Sequence, residues 1–169
     1  MTSASITGGC QCGAVRYAIS GPLGRASICH CRMCQKAFGA FYAPLVTAQL
    51  ADFAVTRGAI AIFRSSEPVE RGFCRDCETP LTFRVLEKQE IDVSIGSLDD
   101  PGVARPAIQW GIEGKLPYVD AIPALPGEET MADISSAPYL ADLVSFQHPD
   151  HDTEQWPPAL ADGSTRDSK

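Results

Sequence analysis

Three cysteines lie within six residues of one another in the first quarter of the chain, in the pattern C-x-C-x-x-C (Cys29, Cys31 and Cys34). This spacing is too tight for side chains that merely fill a core. Thiolates are typical zinc ligands, and a zinc ion with three protein ligands keeps its fourth position for water or substrate, as catalytic zinc does. The spacing therefore predicts an open zinc site of the catalytic kind.

The other four of the seven cysteines form two close pairs, Cys10 with Cys12 and Cys74 with Cys77. Four cysteine ligands close a structural zinc site. Glycines flank the first pair, and the second pair lies between two predicted strands, as in a zinc ribbon. We predict one structural zinc shared by both pairs. Two separate buried pairs, or a disulfide, are the alternatives.

Two other interpretations of the C-x-C-x-x-C cluster stay open. A histidine could complete a second structural zinc site, and the chain has three candidates: His30, between two of the cysteines, and His148 and His151 near the C-terminus. A redox role for the C-x-x-C part is the other alternative, but the strand–helix–strand setting of thioredoxin-like proteins is missing. An open position beside three thiolates favours a soft ligand, such as another thiol.

Charge and composition narrow the classes of partner. The chain has 169 residues, a formal net charge of −7 and a pI near 4.9, which disfavours nucleic acids and anionic membranes as partners. Its first residues lack the pattern of a secretory signal, and its longest uncharged run, residues 37–51, is too short to span a bilayer. We therefore predict a cytoplasmic protein, in a compartment that keeps thiols reduced.

Short runs of alternating, β-branched or aromatic residues predict the strands that position these cysteines. A short helix is expected at residues 35–38, and Gly58 is expected to form a hairpin turn. Helix is scarce, so the predicted fold class is mainly β. The predicted strands span residues 14–19, 25–28, 41–47, 53–56, 60–64, 69–73, 80–85, 91–95, 107–110 and 118–122.

The composition changes near the C-terminus. Residues 147–169 contain five acidic and two basic residues, three prolines and little apolar material. Such a segment buries too little apolar surface to order itself. We predict one domain over residues 1–145 and an acidic, mobile tail over residues 146–169.

Three segments, residues 8–17, 29–36 and 73–81, resemble the signature blocks of the glutathione-dependent formaldehyde-activating enzyme family, which also includes centromere protein V. Residues 108–118 resemble the C-terminal strand pair of that family. Glu78 departs from the family pattern, which usually has glycine there. The resemblance implies a β-tent fold of short antiparallel strands stapled by zinc. It also implies two zinc ions, a structural one on Cys10, Cys12, Cys74 and Cys77 and a catalytic one on Cys29, Cys31 and Cys34.

The family condenses glutathione with formaldehyde to S-hydroxymethylglutathione. The resemblance therefore implies a carbon–sulfur lyase whose partners are a small-molecule thiol and formaldehyde or another small aldehyde. Because glutathione is an anion, we expect basic residues beside the cluster to bind it, with Arg32 and Lys36 as candidates. The alternative is a non-catalytic module with two structural zinc ions that binds a protein or peptide. The chain has no basic arm suited to a chromatin role.

Overall fold

Ten short strands dominate the computed structural model, which describes residues 5–132 and 134–155. The mainly β fold predicted from the sequence is confirmed. The strands are β1 (Ile6–Gly9), β2 (Arg16–Ile19), β3 (Ala26–Cys29), β4 (Ala43–Gln49), β5 (Phe53–Arg57), β6 (Ala61–Ser66), β7 (Val69–Phe73), β8 (Pro80–Val85), β9 (Glu90–Ser94) and β10 (Ile108–Trp110).

Helical structure in the described residues consists of short 3-10 helices and one α-helix, α1 (Arg32–Phe38). The α-helix begins three residues earlier than predicted, because Cys31 serves as its N-cap. The 3-10 helices within the described residues are Leu50–Asp52, Ile95–Ser97, Pro101–Val103, Ile112–Gly114, Val119–Ala124 and Pro138–Leu140.

The strands form two sheets. The smaller sheet has the order β1-β2-β5, and the larger one has the order β10-β3-β4-β9-β8-β7-β6. Every strand pair is antiparallel except β10 with β3, which is parallel. The C-terminal strand is thereby placed directly beside the strand that ends at Cys29.

The buried core takes side chains from both sheets. Tyr17 and Ile19 of β2 are fully buried, in one cluster with Val46 of β4, Val93 of β9 and Leu81 of β8. Burying an aliphatic side chain of this size stabilises a fold by about 1.5–3 kcal/mol. Because side chains alternate across a strand, the neighbours of Val46 and Val93 point to the other face of the large sheet.

Two predicted elements differ from the structure. Gly58 does not close a hairpin, because β5 pairs with β2 in the small sheet and β6 pairs with β7 in the large one. This glycine has a φ of +67° and passes so close to the Ala14 carbonyl that a Cβ would lie 2.0 Å from its oxygen. The predicted strand at 118–122 is replaced by the 3-10 helix Val119–Ala124, whose Pro123 could not donate to a strand ladder.

A segment near the C-terminus contacts the domain. The backbone N–H of His148 donates to the Gln11 carbonyl (2.7 Å), and the His148 side chain is buried beside Arg57 and Thr153. The predicted boundary at residues 145/146 stays a prediction, and residues 156–169 lie outside the described part of the chain. No helix of the described residues is long and apolar enough to cross a membrane.

Arg16 forms the main charged contact between distant parts of the chain. Its side chain is only 3% exposed and donates two hydrogen bonds to Asp99, at 2.8 and 2.5 Å. It also donates to Asp152, whose side chain is 53% exposed. Burial acts to raise the pKa of Asp99, but the hydrogen bonds from Arg16 and Thr7 lower it below its ordinary value. The pair is therefore present as an ion pair at neutral pH.

We expect Arg16→Met to lower the free energy of unfolding by about 3 kcal/mol, because it leaves the Asp99 charge without its partner. Asp152→Asn is the matched control, and its effect should stay within about 1 kcal/mol because that carboxylate is exposed. Urea unfolding at pH 7 measures both. The wild type should also lose stability as pH falls below about 4, since the depressed pKa of Asp99 stabilises the fold only while the group is ionised. Equal effects of the two substitutions would contradict this account.

Two candidate metal centres

Four cysteine sulfurs meet where the two sheets approach each other. Cys10 and Cys12 lie in the loop between β1 and β2, and Cys74 and Cys77 lie in the turn between β7 and β8. We call this group the four-sulfur cluster. The backbone of each loop folds round its own cysteines, with Cys10 N–H donating to the Val15 carbonyl and Cys74 N–H to the Thr79 carbonyl, both at 3.0 Å.

The geometry of the four-sulfur cluster fits a tetrahedral metal ion. Its four Sγ atoms all lie within 4.8 Å of one another, with 3.5 Å between Cys10 and Cys12 and 3.8 Å between Cys12 and Cys74. Zinc–sulfur bonds of 2.3 Å in a tetrahedron place sulfurs about 3.8 Å apart. All seven cysteines fall within the described residues, and all are free thiols.

The thiols of the four-sulfur cluster differ in acidity. Burial raises the pKa of Cys74 to about 11 and also raises the pKa of Cys12. Burial acts in the same direction on Cys77, but hydrogen bonds from the hydroxyl and backbone of Thr79 lower its pKa to about 6. A metal ion must therefore displace protons from this cluster, so its binding weakens as pH falls.

Glu78 adopts the left-handed turn for which glycine is usually selected. Its φ is +59°, and it is the single non-glycine residue with positive φ in the described chain. The turn places the Glu78 N–H on the Cys74 carbonyl at 3.0 Å. The departure from the family pattern thus leaves the turn in place. A left-handed backbone costs a non-glycine residue roughly 1–2 kcal/mol.

The second group of sulfurs lies at one end of the large sheet. Cys29 is the last residue of β3, Cys31 is the N-cap of α1, and Cys34 lies in the first turn of that helix. Their Sγ atoms also lie within 4.8 Å of one another, and we call them the three-sulfur cluster. The Cys34 N–H donates to Cys31 Sγ (3.4 Å), so the helix start itself holds two of the sulfurs together.

No histidine joins either cluster, although all three histidines lie in described residues. The His30 ring is buried and turns away to Gln109 of β10, with 2.8 Å between Nε2 and Oε1. His148 lies beside Gln11, near the other cluster. The described residues therefore offer the three-sulfur cluster no fourth cysteine or histidine ligand.

A buried cation contacts the three-sulfur cluster. Arg71 of β7 is only 8% exposed. Its Nη2 donates to Cys34 Sγ (3.4 Å), and its Nε donates to Ser65 Oγ (3.2 Å). Its guanidinium carbon lies 5.0 Å from the centre of the Phe83 ring. No carboxylate of the described residues forms an ion pair with it. Arg71 is thus free to balance negative charge on the sulfurs.

Burial and Arg71 act in opposite directions on these thiols. Burial raises the pKa of Cys29 to about 12. Burial also raises the pKa of Cys34, although the Arg71 guanidinium acts to lower it. The pKa of Cys31 falls below its ordinary value, because hydrogen bonds with Cys34 outweigh the effect of burial.

A cleft of about 610 Å³ opens beside the three-sulfur cluster, on the face of the large sheet opposite the main core and beside a small apolar cluster that includes Leu45. We call it the sheet cleft. Cys29 and Cys34 line one part of it, and Arg25, Thr47, Lys88 and Asp92 are among the other residues that line it. A cleft bordered by thiols and charged groups can hold a small polar ligand.

The predicted substrate-binding residues are not among those that line the sheet cleft. Arg32 and Lys36 are exposed on α1, and Arg32 Nη1 donates to Gln35 Oε1 (3.3 Å). The cations of the cleft are instead Arg25 and Lys88. Strand alternation back from Cys29 could have indicated Arg25, since residues 25, 27 and 29 share one face. Arg71 and Lys88 have no such local signal.

Comparisons with known proteins agree with this arrangement. The family model described as glutathione-dependent formaldehyde-activating enzyme matches residues 5–112. A crystal structure of a Rhodobacter sphaeroides protein is also similar, with 26% sequence identity and a TM-score of 0.50 over 62% of this chain and 98% of that chain. No curated protein matches the chain at a significant level.

The two clusters should respond differently to loss of one ligand. Cys10→Ser should prevent folding, because a structural zinc site supplies apparent free energies of ~10–16 kcal/mol in small domains. Cys31→Ser should fold and keep one zinc per chain, since serine also caps helices well. Elemental analysis and circular dichroism measure both. The assignment fails if Cys10→Ser stays folded with one zinc ion bound.

Replacing Glu78 by glycine should stabilise the protein by about 1 kcal/mol, because it removes the strain of the left-handed turn. The matched control is Glu87→Gly, at another exposed position whose φ is not positive, where glycine should destabilise. Thermal unfolding of the metal-loaded proteins reports the difference. A lower melting temperature for Glu78→Gly would show that the Glu78 side chain itself stabilises the turn.

Proposed function

The chain belongs to the glutathione-dependent formaldehyde-activating enzyme family, and from this membership we propose that it is a zinc-dependent carbon–sulfur lyase. In the proposed reaction it adds glutathione, or a similar thiol, to formaldehyde or a small aldehyde. The observation that carries the proposal is the three-sulfur cluster. Its sulfurs have no fourth cysteine or histidine beside them in the described chain, and two of its cysteines, Cys29 and Cys34, line a cleft. The four-sulfur cluster supports a second, structural zinc.

The proposed reaction needs one new bond and one proton transfer. The substrate sulfur forms a bond to the aldehyde carbon, the carbon–oxygen π bond breaks, and the thiol proton ends on the new hydroxyl. When bound by Cys29, Cys31 and Cys34, zinc would supply a position where the substrate thiol is held as a thiolate. The chemistry needs no oxidant and no further co-reactant.

The chain's own groups favour negative charge at this position. The Arg71 guanidinium lies on Cys34 Sγ and has no carboxylate partner in the described chain. Its positive charge therefore offsets the charge of the protein thiolates and of a substrate thiolate beside them. The Phe83 ring and the surrounding sheet limit water around it, which strengthens the interaction.

Hydrogen bonds and close packing fix the position of the backbone at the three-sulfur cluster. Gln35 is buried and donates from Nε2 to the carbonyls of His30 (2.8 Å) and Gly114 (2.9 Å). Gly111 approaches so closely that a Cβ there would lie 2.8 Å from the Cys31 nitrogen. The loop that carries Cys31 is thus held between α1 and the segment after β10.

We propose that the reaction takes place in the cytoplasm, where thiols stay reduced.

Titration of the cobalt-substituted protein with glutathione tests the proposal directly, because thiolate-to-cobalt absorption bands report the ligands of each site. We expect one of two cobalt sites to change saturably while the other stays inert, and Cys31→Ser to abolish the response. When formaldehyde is then added, the protein with glutathione should consume formaldehyde faster than glutathione alone does. Two unresponsive tetrahedral sites would overturn the enzyme proposal in favour of a non-catalytic zinc module.

Arg71 should matter for turnover without being needed for folding. We expect Arg71→Met to lower kcat/KM by about tenfold to a hundredfold, the usual effect of losing a hydrogen bond to a charged group, and Arg71→Lys to recover part of the loss. Arg64→Met is the control, since this arginine is exposed and its side chain donates, within the described residues, to the Glu67 carbonyl of its own turn. An Arg71→Met enzyme with wild-type kcat/KM and unchanged cobalt bands would contradict the role.

A further inference from the structure

The sheet cleft extends well beyond the three-sulfur cluster. Along β4, Ala43 pairs with Cys29 and Thr47 pairs with Asp92. Because paired residues share a face, Cys29 and Asp92 face the same side of the sheet. Four residues along β4 and two strand spacings across the sheet separate the Cα positions of Cys29 and Asp92 by about 16 Å. The cleft therefore has a thiol end and a distant end, and the proposed reaction uses only the first.

Charged groups of both signs occupy the distant end. Thr47 Oγ1 donates to Asp92 Oδ1 at 2.6 Å, and burial raises the pKa of that carboxyl. Lys88 and Glu90 are its charged neighbours. Arg25 lies with its guanidinium carbon 5.5 Å from the centre of the Trp110 ring, beside β3. All four charged residues line the cleft.

These charges are not paired with one another. In the described chain no ion pair joins Asp92 to Lys88 or Arg25. A half-buried carboxylate whose only hydrogen-bond partner here is a hydroxyl gains from a cation placed against it. Two cations that border the same cleft gain likewise from carboxylates. The distant end thus suits a ligand that carries an ammonium group and carboxylates together.

We propose that the distant end of the sheet cleft binds the zwitterionic amino-acid end of the thiol substrate, with Asp92 accepting hydrogen bonds from its ammonium group and Arg25 and Lys88 binding its carboxylate. This inference rests on the proposed function, and it identifies the side chains that would distinguish one thiol substrate from another. Three residues of peptide span at most about 10–11 Å. Cys29 and Asp92 both line the cleft, so the reach of their side chains shortens the separation of about 16 Å to a gap of that order.

The arrangement also explains how a chain with a net charge of −7 can receive an anionic substrate. Among the residues that line the cleft, Arg25 and Lys88 balance Glu90 and Asp92, so the cleft does not share the negative excess of the whole chain. Asp92 adds selectivity rather than attraction, because a thiol without an ammonium group leaves this carboxylate unpaired in the cleft. Simple thiols that carry only carboxylates are therefore expected to bind less tightly than glutathione.

The experiment compares two thiols on the zinc-loaded protein by isothermal titration calorimetry: glutathione, and desamino-glutathione, which lacks the α-amino group. We expect the wild type to bind glutathione about tenfold or more tightly than the desamino thiol. Asp92→Asn should lose this preference, binding glutathione about as weakly as the wild type binds the desamino thiol. Lys88→Met should weaken both thiols, since both keep their carboxylates.

Asp142→Asn is the matched control, since this aspartate is exposed and is not among the residues that line the cleft; it should leave both affinities unchanged. Equal affinity of the wild type for the two thiols would overturn the inference without any variant, even if Asp92→Asn failed to fold. Glutathione binding that Asp92→Asn leaves intact would also overturn it, while the proposed function would stand. A wild type that binds neither thiol would overturn both.

Discussion

The contact between the two sheets at the four-sulfur cluster is the constraint on which the remaining structure depends. Cys10 and Cys12 lie in a loop of the small sheet, and Cys74 and Cys77 lie in a turn of the large one, so a metal ion held by all four would join the two layers. The buried Arg16–Asp99 pair and the Tyr17–Ser97 hydrogen bond (2.8 Å) lie along the same boundary. Once the layers are joined, the large sheet becomes a rigid support for everything placed on its outer face.

That outer face is where the proposed chemistry lies. Alternation along β4 sends Val46 and Ala48 into the core and leaves Leu45 and Thr47 on the side of the sheet cleft. The same strand therefore stabilises the fold with one set of side chains and borders the site with the other. Positions on a central strand move little relative to one another, so thiol and charged groups in a cleft of this kind keep a fixed spacing.

The sequence allowed good prediction where local rules decide the outcome. The strands at residues 69–73 and 80–85 have the predicted bounds, and the cysteines divide into groups of four and three as their spacing indicated. The contact of Arg71 with Cys34, 37 residues apart, and the pairing of Thr47 with Asp92, 45 residues apart, depend on register across a seven-stranded sheet. No local pattern encodes that register. The 3-10 helix at Val119–Ala124 was missed because its apolar residues resemble a strand until Pro123 is considered.

The distance along the chain between the two halves of the four-sulfur cluster has a consequence for biosynthesis. Cys12 and Cys74 are 62 residues apart, so a ribosome adding roughly 5–20 residues per second releases the first pair about 3 to 12 s before the second. Cys29, Cys31 and Cys34 emerge in between. For several seconds the nascent chain therefore presents five thiols that could share one metal ion in a non-native set, and correct loading requires that set to exchange its ligands once Cys74 and Cys77 arrive.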